Sequence, residues 1–208
     1  MKIALLGSGV VAQSLAAGYL RHGHEVVIGT RQAVAAIDGV RAQPFADAAL
    51  WAELAVLAVK GEVAEELAGR LATELAGKIL IDATNPLDFS SGAPQLFVGW
   101  QDSLGERVAR AAAACRVVKA YNTVGNSRMV DPDLPGGPPT MFIAGDDEAA
   151  KATVTELLHA TGWGVADVGG IAASRYLEPL CLTWVAIGMK SGSWDHAFKL
   201  LVADGGSA

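Results

Sequence analysis

The chain of 208 residues carries 16 Lys and Arg against 22 Asp and Glu, and a formal net charge of −6 excludes a general phosphate-backbone binder of the kind that coats nucleic acid. Two cysteines far apart, Cys115 and Cys181, exclude a disulfide scaffold and a cysteine-based zinc or iron–sulfur site, and the four histidines lack metal-ligand spacing. At 51% hydrophobic residues the chain can fill one core, yet charge or glycine interrupts every apolar run, so no stretch of about 20 residues is available to cross a bilayer.

From the N-terminus, short apolar runs alternate with longer segments of helical period, the pattern of an α/β fold on a parallel sheet. Strands are expected at 2–6, 25–29, 40–43, 54–59, 78–82, 116–121, 140–144 and 164–168. The opening residues admit a signal-peptide reading, since Lys2 precedes an apolar run reaching Ala16-Ala17, but Gly7 and Gly9 inside that run favour strand, turn and helix. The first helix covers 10–21 and stops before Gly23, a C′ glycine. After the fourth strand, Val63, Leu67, Leu71 and Leu75 form one buried stripe, with Glu65, Glu66, Arg70 and Glu74 left for water. Ser103 and Glu106 make a capping box ahead of an Ala-rich helix ending near Cys115, and Asp146 or Asp147 starts a helix through His159. The loop 131–139, rich in proline and glycine, reads as a surface excursion. From Ser174 onward the chain reads as one or two helices with Leu177, Cys181, Trp184 and Ile187 on one side, and Trp194 and Phe198 as a further pair.

The sharpest local signal is Gly7-x-Gly9-x-x-Ala12, between a predicted strand and a predicted helix. Gly7 permits the tight turn, Gly9 leaves room for a pyrophosphate to reach the backbone, and Ala12 lets the helix lie close on the strand. The helix N-terminus then offers free N–H groups and a partial positive charge. The fold class is therefore α/β, a Rossmann-type doubly wound and mainly parallel sheet of about eight strands with a short helical C-terminal extension. The expected division is a dinucleotide-binding domain over 1–168 and an extension over 169–208 that serves an acceptor pocket, a dimer contact or both.

An NAD site of this kind places an Asp or Glu at the end of the second strand to hold the ribose 2′-OH. Here that position reads Gly29-Thr30-Arg31, a hydroxyl and a guanidinium fork suited to a 2′-phosphate, which favours NADP. Further strand ends face the same cleft: Val59-Lys60, Ala83-Thr84-Asn85 and Lys119 through Asn122. Thr84 and Asn85 are candidates for the nicotinamide ribose or carboxamide, Lys60 for phosphate charge, and Asn122 for a position near the reactive ring.

The combination of Gly7-Ser8-Gly9-Val10-Val11-Ala12, Gly29-Thr30-Arg31, Asp82-Ala83-Thr84-Asn85-Pro86-Leu87 and Val118-Lys119-Ala120-Tyr121-Asn122-Thr123 resembles the NADPH-dependent coenzyme F-420 reductase family. So does Ser174-Arg175-Tyr176-Leu177-Glu178-Pro179-Leu180, and the same likeness extends to the cytosolic domain of the six-transmembrane ferric reductases. It covers nearly the whole chain. The resemblance implies hydride transfer between NADPH and a flavin-like ring stacked on the nicotinamide, in a Rossmann core with a dimer-building C-terminal part. It implies Ser8, Gly9, Val10 and Val11 at the pyrophosphate, Thr30 and Arg31 at the 2′-phosphate, Val59 and Lys60 near the adenosine or diphosphate, and Ala83, Thr84 and Asn85 near the nicotinamide. It also implies that the stretch around 189–194 is where a deazaflavin ring rests. One departure is that the family often carries a Pro-aromatic pair where this chain has Lys60-Gly61.

Direct hydride transfer asks mainly that two rings be held in contact, so no catalytic residue and no metal ligand is named. The reading is a reductase using NADPH with coenzyme F-420, FMN or FAD as second substrate. Two alternatives stand beside it: a dehydrogenase of a small hydroxy acid or imine, for which Lys119 is the tempting residue, and a non-catalytic NADP sensor. A homodimer in the cytoplasm, binding neither nucleic acid nor membrane, completes the expectation.

Overall fold

The structure is a computed structural model that describes residues 1–32 and 34–203. Strand β1 (Lys2–Leu6) is followed by α1 (Val10–Arg21), β2 (Glu25–Thr30), β3 (Ala36–Ile37), β4 (Val40–Pro44), α2 (Phe45–Trp51), β5 (Leu54–Leu57), α3 (Gly61–Arg70) and β6 (Ile79–Asp82). Then come β7 (Leu87–Asp88), β8 (Gln95–Leu96), α4 (Leu104–Ala111), β9 (Arg116–Lys119), β10 (Thr140–Gly145), α5 (Glu148–Ala160), β11 (Gly164–Asp167) and α6 (Ser174–Ser191).

The strands β4-β2-β1-β5-β6-β9 run parallel in the doubly wound order, which reverses between β1 and β5. β10 joins antiparallel to β9, β11 pairs parallel with β10, and β3 pairs antiparallel with β4, giving nine strands in the main sheet among the described residues. The eight expected strands are all present. The ninth, Ala36–Ile37, turns back through Asp38 (φ 48°) and Gly39 (φ 78°), a two-residue Asp-Gly hairpin.

Alternation along β1 sorts the core into two layers. Ile3 and Leu5 face α1 and α5 with Leu15, Tyr19 and Val154, whereas Ala4 and Leu6 face the other side with Ala48, Leu67 and Val108 of α2, α3 and α4. Local signals set several helix ends. Gly23 (φ 78°) closes α1, the Ser103 hydroxyl accepts from the Glu106 N–H at 3.2 Å, and Asp147 caps α5 by accepting from Ala150 at 2.7 Å.

Four expectations change. Helix α3 stops at Arg70, and Leu71 and Leu75 are buried from the turn that follows rather than from the helix, while Val63 is 43% exposed at a cavity edge. The Ala-rich helix α4 ends at Ala111, short of Cys115. The short helix α2 and the hairpin β7–β8 appear where no element was foreseen. Among the described residues beyond α6, 192–203, none is helical: Gly192 (φ 68°) ends the helix and the chain folds back, with Trp194 and His196 on Trp184 at ring separations of 5.4 and 4.8 Å. Phe198 then accepts from the Thr140 N–H at 2.8 Å. Leu177, Cys181 and Trp184 are thus buried within the chain, and of the expected stripe Ile187 alone lies open, at 42% exposed. The end of the predicted extension, 204–208, lies outside the described residues.

Helix α6 is tied to the sheet by buried charge. Lys119, at the end of β9, is fully buried and places its Nζ 2.9 Å from Asp82 Oδ2 and 3.1 Å from Glu178 Oε1. It also donates to the Thr84 carbonyl at 2.7 Å. Burial alone would lower the lysine pKa, but the two carboxylates outweigh it and keep the ammonium charged. Glu178 in turn accepts the first N–H groups of α4, from Leu104 at 3.0 Å and Gly105 at 2.9 Å. Removing the cation leaves two carboxylates in the core, so Lys119→Met is expected to lower the unfolding free energy by about 3–5 kcal/mol in a urea titration.

Candidate functional site

The predicted site residues collect beyond the carboxyl ends of the parallel strands: Gly7 through Val11 after β1, Thr30 and Arg31 at β2, Val59 and Lys60 after β5, Ala83 to Asn85 after β6, and Asn122 after β9. The two glycines of the first turn have separate duties. Gly7 takes φ 141°, and a Cβ built there would lie 2.1 Å from the Ala58 carbonyl oxygen, so only glycine lets β1 leave the sheet beside β5. Gly9 is extended (φ −78°, ψ −179°), and a Cβ built there would meet nothing within 4 Å. It opens α1 with no side-chain cap and no acidic residue in the first turn, which leaves the leading N–H groups to an external anion. The cradle fits a pyrophosphate.

Two cavities flank Val59, and the first of them reaches this turn. One, of about 190 Å³, is lined by Gly7, Ser8, Thr30, Arg31, Gln32, Phe45, Val59, Val63, Glu66, Leu67 and Arg70. The other, of about 370 Å³, is lined by Val59, Lys60, Gly61, Glu62, Ala83, Thr84, Asn85, Leu87 and Phe89. Val59 stands between them at the switch point. Thr30 is buried, and its Oγ1 accepts from the Gln32 N–H at 3.1 Å, which leaves its own proton to donate. Gly61 has a strict role: a Cβ there would lie 2.1 Å from the Asn85 carbonyl oxygen, so the loop after β6 rests directly on the start of α3.

Three predicted side chains are engaged inward. The Thr84 hydroxyl donates to Asp82 Oδ1 at 2.6 Å, and Thr84 itself is buried. Asn122 does not face the open cleft. Tyr121 before it holds φ 62°, anchored by its hydroxyl 2.9 Å from that of Tyr19, and the Asn122 amide donates to the Leu177 carbonyl of α6 at 2.7 Å. Asn122 reaches the site through its carbonyl, which accepts from Asn85 Nδ2 at 2.9 Å. Lys119 sits beneath this floor in its ion cluster, and burial pushes the neighbouring Cys181 thiol up to about 12, so neither is poised for proton transfer or attack. The 189–194 segment rests on the loop after β9, where a Cβ at Gly125 would come within 3.1 Å of the Trp194 carbonyl.

Sequence reasoning missed Gln32, Phe45, Glu66, Arg70, Leu87 and Phe89 as cavity walls. Helical period marked Glu66 and Arg70 as the water-facing side of α3, and that side does face water, within a concave surface.

Residues 2–86 match the family model described as NADP oxidoreductase coenzyme F420-dependent. The F420-dependent NADP reductase of Methanothermobacter marburgensis is 30% identical over 211 residues, spanning 92% of this chain and 94% of that protein. The chain belongs to the coenzyme F420-dependent NADP oxidoreductase family. A solved structure assigned as an F420-dependent NADP-reductase from an Arthrobacter species superposes on this family member with a TM-score of 0.91 at 40% identity, over 97% of this chain and all of that one. The rat metalloreductase STEAP3 is 32% identical over 192 residues, 87% of this chain but 36% of that protein, so the chain spans about a third of its length. An imine reductase from Streptomyces aurantiacus, at 18% identity and a TM-score of 0.66, shares the fold.

The two glycines of this family member should separate on mutation. Gly9→Val is expected to abolish NADPH binding by calorimetry with the circular dichroism spectrum unchanged. Gly7→Ala is expected to lower the thermal midpoint, because the Ala58 carbonyl just past β5 blocks the added methyl.

Proposed function

We propose that this protein is an NADPH-dependent reductase that passes a hydride between NADPH and a flavin-like or deazaflavin acceptor, with coenzyme F-420 favoured over FMN or FAD. The observation that carries the choice of dinucleotide is the cationic, acid-free end of β2. Thr30 and Arg31 face the first cavity where an NAD enzyme presents a carboxylate. When bound, NADPH supplies the hydride itself. The protein's part is to grip and to orient: Gly9 and the start of α1 take the pyrophosphate, Thr30 and Arg31 the 2′-phosphate, and the backbone of 83–85 with the Asn85 amide frames the nicotinamide end.

The second cavity favours direct hydride transfer over the dehydrogenase alternative. Such a dehydrogenase needs a placed proton donor, and Lys119 is locked between two carboxylates. The bulk absent at Lys60-Gly61 is replaced across the cavity by Leu87 and Phe89, the latter 55% exposed, which offer an apolar wall to a flat ring.

A homodimer is part of the same proposal, built on the outer side of α6. Tyr176, Leu180 and Ile187 share one helical stripe that borders the buried one, with Tyr176 75% and Ile187 42% exposed. Two free cysteines, one half-buried and one buried, suit a reducing cytoplasm. Among the described residues no helix is long and apolar enough to cross a membrane.

Three measurements check this. Mixing protein and NADPH with coenzyme F-420 is expected to bleach the reduced-nicotinamide absorbance as the acceptor is reduced. Bleaching with carbonyl or imine substrates alone would favour the dehydrogenase, and tight binding without turnover the sensor. Arg31→Ala removes a charge-assisted contact of about 1.5–3 kcal/mol, so NADPH affinity should fall roughly 10- to 150-fold with NADH affinity unchanged. Light scattering should give twice the 21.4 kDa chain mass, and Tyr176→Glu should halve it while NADPH binding persists.

A further inference from the structure

We propose that Arg70, on the last turn of α3, is a second clamp on the 2′-phosphate and shares with Arg31 the discrimination of NADPH from NADH, an inference that rests on the NADP reading above. Arg70 lines the same small cavity as Thr30, Arg31 and Gln32, and it also walls the broader depression of about 710 Å³ that continues outward past Phe45. It therefore borders the end of β2 from the inside and from the rim. Helical side chains lean toward the N-terminus of their helix, and α3 begins beside the nucleotide turn, so a long side chain from its last turn is carried back toward the β2 end.

The electrostatics of the wall point the same way. The ionic partner of Arg70 is Glu66, one turn earlier, at 3.8 Å, with the two side chains 68% and 73% exposed. An exposed pair at that distance holds the guanidinium weakly and leaves its fork free for a doubly charged oxyanion. Glu66 lines the cavity as well, and alone it would repel a phosphate. With Arg31 the wall carries one cation and one anion; Arg70 tips it to net positive. The same carboxylate is also what would accept the ribose 2′-OH of NADH. The Glu66–Arg70 pair is thus a balance on the cofactor choice, which Arg70 resolves toward phosphate. The Thr30 hydroxyl, accepting from the Gln32 N–H, adds a neutral donor to the same spot.

Calorimetry with adenosine 2′,5′-bisphosphate and with 5′-AMP tests this without the acceptor or turnover. Wild-type protein should prefer the bisphosphate. Arg70→Gln should weaken the bisphosphate roughly 5- to 30-fold and leave 5′-AMP unchanged, Arg70→Lys should recover part of the loss, and Glu66→Gln should tighten the bisphosphate. Circular dichroism of each variant should match wild type, since both positions are exposed. A wild-type protein with no preference for the bisphosphate overturns the NADP reading itself. A wild-type preference that Arg70→Gln keeps intact overturns the role of Arg70 alone. Equal loss for both ligands in Arg70→Gln, or weaker 5′-AMP binding in Glu66→Gln, also overturns it, since the wall would then recognise adenosine or a ribose hydroxyl rather than phosphate.

Discussion

The contact on which the rest of this molecule depends is the buried cluster of Lys119, Asp82 and Glu178. Two carboxylates and one ammonium leave one negative charge in excess, and the first N–H groups of α4 absorb it. The cluster joins two neighbouring strands, the start of α4 and the second turn of α6. Desolvation makes such a cluster a modest source of net stability, but a mispaired arrangement leaves a bare charge in the core. It therefore fixes how α6 seats on the sheet. It also fixes the floor of the second cavity, because Asp82 holds the Thr84 hydroxyl and Lys119 holds the Thr84 carbonyl. The residues most suggestive of acid–base chemistry serve here as scaffolding, and the second cavity above them is walled mainly by backbone, amide and apolar surface.

The two cavities divide the labour of one extended cleft. The half beside β2 is walled by guanidinium groups and a hydroxyl around a pocket of modest size, which suits the proposed discrimination by charge. The half beside β6 is shaped by Gly61, which brings two backbones together, and by the β7–β8 hairpin, which supplies Leu87 and Phe89, and suits the proposed fit of a flat ring. Val59 borders both, at the point where strand order reverses and the chain on either side moves apart.

Much of this was legible from the chain alone, for physical reasons that are local. The apolar runs that became central strands are buried on both faces, so they read as continuous hydrophobic stretches rather than alternating ones. The glycine spacing after β1 states a backbone demand, and the Ser103 and Asp147 caps are contacts within three residues. What escaped was non-local. Glu178 lies 59 positions beyond Lys119, so its role depends on how α6 docks. The direction of Asn122 depends on the left-handed turn at Tyr121, which the Tyr19 hydroxyl helps to hold from across the core. The stripe on α6 was read correctly as apolar, but sequence period does not say whether a stripe meets its own chain or another. Here Leu177 meets Ala144 of β10, and the returning tail, with Trp194 and His196, covers Trp184. Arg70 escaped because helical period separates buried from exposed and cannot separate a flat solvated face from a concave one.

Gly61 carries a consequence for how this cleft can diversify. With the Asn85 carbonyl 2.1 Å from where any Cβ would stand, position 61 is closed to substitution unless the loop after β6 retreats. That loop is anchored through Thr84 to the buried charges below it. Lineages that place a bulky pair at the start of α3 must therefore have a different loop path, and a single exchange at this site cannot convert one arrangement into the other. If the second cavity takes the acceptor as proposed, variation in preference has an easier route through the hairpin, where Phe89 is more than half exposed and a change of side chain disturbs no backbone. Evolutionary drift and laboratory selection alike should then leave the floor unaltered and accumulate changes on the opposite wall.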